Sequence, residues 1–413
     1  MSQLPRHAVL PLPHLHTATL AIALRGGSRY EEREEAGLTH FLEHMIFRGA
    51  GERAGLPELM EAFERVGSEP EAYTSEDAIT LVLELDPARL REGAELLADV
   101  LLRPTFSEIE AERALILEER LERVDAEGHP ADLEDLAMGL AFAGHPLSRS
   151  ILGRKSTIES VTPADLHRWR ERLVQRENVA LAVAGPLEPG EAAEQLAPLA
   201  ALPAGDALPL QPPLPPASGP RTTFHRAEGP QTELRLCFRA PGERDPAFPA
   251  LCVLVDLLDG GPTSRLPREL VDAGLAYNAR AELVALPDGG LVALELAVAH
   301  RKVGEALETL RSLLAGLTEG VGGAELERAA LRRGHRERLE RDDARNQAEW
   351  AARRLLYDLD PDPIRARAAE GAVSAEAIAE LASTVFAPEN LSVAGICSRP
   401  ATRRAVKAAL ANW

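Results

Sequence analysis

Runs of alternating and helically spaced apolar residues divide the chain into a series of elements. Residues 16–25, ending Leu20-Ala21-Ile22-Ala23-Leu24-Arg25, form an apolar stretch stopped by Gly26-Gly27, which predicts a strand. An acidic loop from Glu31 to Glu35 precedes a short amphipathic helix around residues 39–45. Pro57 to Val66 has apolar residues at helical spacing, whereas Tyr73 to Leu85 reads as strand, most apolar over Ala78–Leu85. Helices are predicted over Pro87–Leu102 and Ser107–Arg123. Another opens at Thr162-Pro163-Ala164-Asp165, with a capping threonine and an early proline. Asn178 to Gly185 is again strand.

Leu210 to Pro220 interrupts this pattern. Its five prolines in eleven residues can continue neither a helix nor a central strand, so the segment reads as an extended linker. The second half then repeats the first. Val161-Thr162-Pro163-Ala164 recurs as Val373-Ser374-Ala375-Glu376, and Glu177-Asn178-Val179 as Glu389-Asn390-Leu391, both 212 positions on. Ile79–Leu85 has its counterpart in Leu291–Leu296. The expected organisation is a domain at 1–208, a proline-rich linker at 209–220 and a homologous domain at 221–413. Strands and helices follow no strict β-α-β order, so each half is expected to be α+β, a sandwich of helices against a sheet.

Candidate chemistry lies in the first half, on Thr39-His40-Phe41-Leu42-Glu43-His44-Met45. On a helix, His40 and His44 project from one face, one turn apart, and can share a metal ion. Glu43 adjoins them. His-x-x-Glu-His is the zinc-peptidase pattern in inverted order, and a carboxylate beside a zinc-held water can take its proton. A third ligand is sought on the later run Glu112-Arg113-Ala114-Leu115-Ile116-Leu117-Glu118-Glu119. There Glu112 and Glu119 share a helical face with Ile116 between them. Carried forward by 212, the motif lands on Cys252, Val255 and Asp256, so the second half has no metal motif.

Composition narrows the function classes. A chain that is 45% hydrophobic can build real cores, and a net charge of −19 with pI near 5.1 argues against binding a phosphate backbone, so no nucleic-acid partner is expected. The same balance favours basic peptides as substrates. No apolar run is long enough for a membrane span, and Met1–His7 lacks the charged and apolar regions of a secretory signal. Cys237, Cys252 and Cys397 have no paired spacing and read as buried free thiols, which points to the cytoplasm.

Several stretches together resemble the inverted-motif zinc peptidases, the family of pitrilysin, insulin-degrading enzyme and the mitochondrial processing peptidase. They are Gly27–Glu31, Gly37–Met45, Ala72-Tyr73-Thr74-Ser75, Glu112–Glu119, Gly144-His145-Pro146-Leu147, Gly260–Leu266 and Gly274-Leu275-Ala276-Tyr277. The resemblance spans nearly the whole chain, and length and duplication are similar to the short bacterial members near the processing-peptidase branch. It implies the metallopeptidase fold of that branch and one Zn2+ per chain on His40, His44 and Glu119, with Glu43 as water-activating base and Glu112 as an auxiliary glutamate. The interval after His44 is one residue short, which brings Glu118 into consideration; facing with Glu112 favours Glu119. It also implies an edge strand at Ala72 and Tyr73 to which peptide substrate adds, with Glu71 where the family has Asn. An Arg…Tyr pair for the substrate carbonyl is implied in the second half. Tyr277 fits the tyrosine, but Leu270 stands where the arginine is expected, with Arg265 and Arg268 nearest. Finally, it implies a homodimer, or a heterodimer with a homologous subunit, enclosing substrate in a four-domain chamber.

Overall fold

The computed structural model describes residues 3–209, 217–362, 364–365 and 373–413, so residues 210–216 of the expected linker lie outside the described residues. The first half runs β1 (Arg6–Pro11), β2 (Ala18–Arg25), α1 (Leu38–Met45), α2 (Leu56–Arg65), β3 (Pro70–Thr74), β4 (Ala78–Leu85), α3 (Leu90–Leu102), α4 (Ile109–Leu121), α5 (Leu133–Ala141), α6 (Lys155–Ser160), α7 (Pro163–Leu173), β5 (Val179–Gly185) and α8 (Pro189–Gln195). The second runs β6 (Arg221–His225), β7 (Thr232–Ala240), α9 (Phe248–Asp259), β8 (Asn278–Leu286), β9 (Gly289–Val298), α10 (Val303–Thr318), α11 (Gly323–Arg341), α12 (Ala344–Leu356), α13 (Ala375–Val385), β10 (Leu391–Ile396) and α14 (Pro400–Leu410).

Two five-stranded sheets result, ordered β1-β5-β2-β4-β3 and β6-β10-β7-β9-β8. Strand for strand the two orders are the same, each with one parallel pair, β1/β5 and β6/β10, in an otherwise antiparallel ladder. Helices pack on both sheets, giving the α+β class and a duplicated architecture. Even the caps repeat: the Asp165 N–H donates to the Thr162 hydroxyl at the start of α7, and the Ala377 N–H donates to the Ser374 hydroxyl at the start of α13. The apolar stretch from Tyr73 to Leu85 is a hairpin and not one strand. Polar residues 75–77 reverse it, and the Ser75 hydroxyl accepts the Ala78 N–H at 3.1 Å.

The compact units do not follow the two halves of the sequence. One comprises Met1–Arg120, Arg149–Gln211 and Leu339–Ala369; the other Leu121–Ser148, Pro212–Arg338 and Glu370–Trp413. The difference from a boundary at 208–221 comes from two equivalent helices, each capped by an aspartate (Asp132, Asp343), that belong to the opposite unit. α5 packs on β7 and β10, whereas α12 packs on β2 and β5.

The first unit shows why α12 goes where it does. Period-two alternation sends Leu20, Ile22 and Leu24 of β2, with Leu81 and Leu83 of β4, into a leucine-rich core shared with α1, α3 and α7. On the other face, the centre of β2 and β5 presents only alanine, Ala21, Ala23, Ala180, Ala182 and Ala184, with Thr80 and Val82 of β4 alongside. α12 answers with Ala344, Ala348, Ala351 and Ala352, a helical stripe of the smallest side chain. Small residues on both surfaces let helix and sheet approach closely, so dispersion contacts replace the bulk that leucines supply on the first face. Ala348 is fully buried there. Ala348→Leu is therefore expected to overpack this seam and cost about 1–3 kcal/mol, read as a lower urea midpoint.

Candidate metal centre

The motif helix α1 is fixed at its start before any ligand is considered. Gly37 precedes it at φ 94°, a left-handed conformation that favours glycine, and an added Cβ would stand 2.9 Å from the Cα of Gly153. The free N–H groups of the first turn go to a buried carboxylate from the preceding acidic loop. Gly37 N–H donates to Glu31 Oε2 at 2.8 Å and Thr39 N–H to Glu31 Oε1 at 2.7 Å. Burial pushes the Glu31 carboxyl up to about 7, against the opposing pull of those amides.

Leu38, Phe41, Leu42 and Met45 turn inward from α1 and are buried, which leaves His40 and His44 on a shared face. Their rings lie edge to face with centroids 4.6 Å apart. α4 is anchored opposite by fully buried Ile116, and that anchor sets Glu112 and Glu119 on the side facing α1. Glu119 Oε2 lies 3.6 Å from His40 Nε2 and 3.5 Å from His44 Nε2. Glu118, its neighbour, is exposed and outside this group.

The donor set fits a zinc ion. With ligand bonds of about 2.0–2.1 Å, the edges of a tetrahedron are about 3.3–3.4 Å, close to the two distances observed. One ligand atom from each of the three residues falls within 4.8 Å of the others. Chemistry agrees with geometry. His44 Nδ1 is 3.0 Å from Glu112 Oε2, so the proton sits on that nitrogen and the Nε2 lone pair faces Glu119. Burial, with the neighbouring His44 charge, lowers the His40 pKa to about 3 and keeps that imidazole neutral. Lone pairs and a carboxylate oxygen aimed at one point repel each other unless a cation lies between them.

Glu43 is held beside the same centre. Burial raises its pKa, the nearby polar groups of Thr74 at the end of β3 oppose the rise, and the Glu119 charge adds to it. The edge strand β3 thus abuts the motif. The Ser75 N–H bonds the Ala78 carbonyl at 2.8 Å, and this parity turns the backbone groups of Glu71 and Tyr73 toward β4. Those of Ala72 and Thr74 face the open edge. Ala72 packs against the core, Glu71 pairs with Arg345, and the half-exposed Tyr73 donates to Glu349.

Tyr277 and Arg268 belong to the second unit. Tyr277 is 79% exposed just before β8 and so is not a core tyrosine. Arg268 pairs with its neighbour Glu269 at 2.7 Å, and Arg265 is held by both oxygens of Glu325 at 2.9 and 3.0 Å. On α9, Asp256 stands at the position matching His44 and meets guanidinium groups, Arg336 at 2.9 Å and Arg333 at 3.5 Å. An ion pair thus occupies the place of a ligand set.

Sequence reasoning missed three contributors. Arg48, three residues past the motif helix, pairs with Glu112 and neutralises a carboxylate that is only 3% exposed. Thr74 lies beside Glu43, and Glu31 caps α1. Arg48 carries no signal beyond adjacency to the motif helix, whereas Thr74 and Glu31 both lie inside quoted stretches.

Comparisons with known proteins bear on the family of the whole chain. Residues 8–155 match the family model for insulinase (peptidase family M16), and residues 160–332 match that for the peptidase M16 inactive domain. An uncharacterized zinc protease of Mycobacterium leprae is 28% identical over 323 residues, covering 76% of this chain and 72% of the relative. A probable mitochondrial-processing peptidase subunit beta of Arabidopsis thaliana is 34% identical over 182 residues, 44% of this chain and 34% of the relative. In fold, a protease from Helicobacter pylori superposes with a TM-score of 0.85 at 21% identity, covering 94% of this chain and 96% of that one.

Glu119→Gln replaces one anionic ligand and is expected to weaken zinc binding by about 100-fold or more, while Glu112→Gln, acting through His44, should weaken it about 10–100-fold. Competition with a chromophoric chelator measures both.

Proposed function

This chain belongs to the M16 peptidase family, and from that premise we propose that it is a zinc-dependent endopeptidase hydrolysing unfolded peptides held as an added β-strand. The observation that carries the proposal is the convergence of His40, His44 and Glu119 with Glu43 at their side.

Bound by those three residues, zinc supplies a Lewis acid for the scissile carbonyl and lowers the pKa of its water to about 7. Glu43 is the base: its carboxylate accepts the proton of the attacking water and hands it to the leaving amine. Burial, which raises the Glu43 pKa, suits a group that must hold that proton between the two transfers. Glu112 keeps the His44 Nδ1 proton in place, so the imidazole cannot turn or change tautomer. Ala72 and Thr74 offer free backbone groups along the edge of β3, which an extended chain can pair with and a folded one cannot.

The proposal extends to assembly. Leu270 stands where an arginine is expected and Arg265 is engaged by Glu325, so a homologous partner, in a homodimer or heterodimer, supplies groups that hold substrate inside a closed chamber. The net charge of −19 supports basic peptides as the preferred substrates. Three buried free cysteines support a cytoplasmic setting, and among the described residues no helix is long and apolar enough to cross a membrane. The intact ligand set speaks against a purely structural assembly subunit.

Glu43→Gln keeps the ligands and removes the base. It is expected to retain zinc while peptide cleavage falls by at least about 100-fold. Metal analysis and a quenched-peptide assay, run on the chain alone and with a homologous subunit, decide it; cleavage at the wild-type rate in the variant would remove the mechanism.

A further inference from the structure

β3 is only five residues long and hydrogen-bonded on one side, to β4. A short edge strand with a single ladder opens easily unless something beyond the ladder holds it. The second hold comes from α12, 274 positions further along the chain. Arg345 donates two parallel hydrogen bonds to Glu71, Nη1 to Oε1 at 2.7 Å and Nη2 to Oε2 at 2.6 Å. Its Nε donates to Glu349 Oε1 at 2.8 Å, and Nη1 lies 3.6 Å from Glu84 Oε1 on β4. One helical turn on, Glu349 Oε2 accepts the Tyr73 hydroxyl at 3.0 Å.

Two side chains on one face of β3, Glu71 and Tyr73, are thus matched to two residues one turn apart on α12. The match needs a specific reason, because Arg345 sits in the first turn of its helix, where a cation opposes the macrodipole. Three surrounding carboxylates, Glu71, Glu84 and Glu349, outweigh that opposition. On the reverse face of the same strand, Thr74 lies beside Glu43. A shift of β3 would therefore move any peptide paired to Ala72 and Thr74 relative to the base.

We propose that Arg345, together with Glu349, is a positioning residue for substrate: the pair fixes β3 so that the outward backbone groups of Ala72 and Thr74 present a peptide in register with Glu43. The inference rests on reading β3 as the peptide-docking strand. Misplacement by a fraction of the strand rise is enough to spoil alignment of a reacting carbonyl.

The Glu71 and Arg345 side chains are 56% and 31% exposed, so their pairing contributes little to global stability and Arg345→Met should fold with its zinc content unchanged. With an extended quenched peptide, this variant of the full zinc-loaded chain should raise KM about five- to tenfold and lower kcat severalfold, with zinc content and thermal midpoint unchanged. Arg345→Lys keeps the charge but not the fork and should recover only part. The double exchange Glu71→Arg with Arg345→Glu should recover only part, because Glu84 and Glu349 then face a like charge. Binding of the same peptide, measured on the Glu43→Gln background with and without Arg345→Met, should weaken by the same factor. If the wild type hydrolyses nothing while that binding still weakens, the hydrolase reading goes and the role of Arg345 stands. Unchanged KM and binding overturn the proposal, and so does a parallel fall of kcat, zinc content and thermal midpoint.

Discussion

Two imidazoles and a carboxylate converge with their ligand atoms within 4.8 Å of one another, an arrangement that a shared cation would satisfy. That convergence organises the first unit. It requires two helices from separate stretches of sequence to keep their facing sides within a few tenths of an ångström of fixed separation. The surrounding residues supply the constraint. Glu31 fixes where α1 begins, Ile116 seats α4, and the Arg48–Glu112 pair locks one imidazole in orientation. Glu31 and Glu112 each carry a buried carboxylate that would be costly alone and is tolerable because it is paired. The stiffness of the centre is thus built from a chain of compensated burials and not from packing alone.

The parts of this site that can be read from residue order are those set by local geometry. His40 and His44 are four apart on a helix, and helical periodicity alone brings their rings within 4.6 Å. Facing with Glu112 separates Glu119 from Glu118 because seven residues are close to two turns. Local patterning also gave β2, β4 and β5, and repetition pointed to β9 and β10, although the hairpin at residues 75–77 hid inside an apolar run and β1, β6, β7 and β8 went unread. What was not legible depends on long-range contact. No periodicity reveals that α12 covers the alanine face of a sheet formed far earlier in the chain, or that Arg345 finds Glu71. The linker composition suggested two consecutive domains, yet exchange of two capped helices is a property of faces and not of sequence order.

Duplication set the frame, and the two copies then used it differently. Both sheets keep the same strand order. In the first copy, the helix after the second strand carries the two histidines of the candidate site; in the second, the position of His44 is taken by Asp256, paired with arginines of α11. A buried carboxylate needs a cation either way. One copy leaves that place for an exchangeable metal, and the other fills it with covalently attached charge. The description of the second matching family model as an inactive domain agrees with this division.

The exchanged helices also bear on how the chain matures during synthesis. The alanine face of the first sheet is complete once β5 has left the ribosome, but its cover, α12, begins about 160 residues later. At roughly 5–20 residues per second, that surface waits about ten to thirty seconds without its partner. Alanine is the least adhesive apolar side chain, so a face made of it tolerates such a delay better than one of leucine or phenylalanine. The composition that permits close packing in the finished protein therefore also limits off-pathway association in the nascent one.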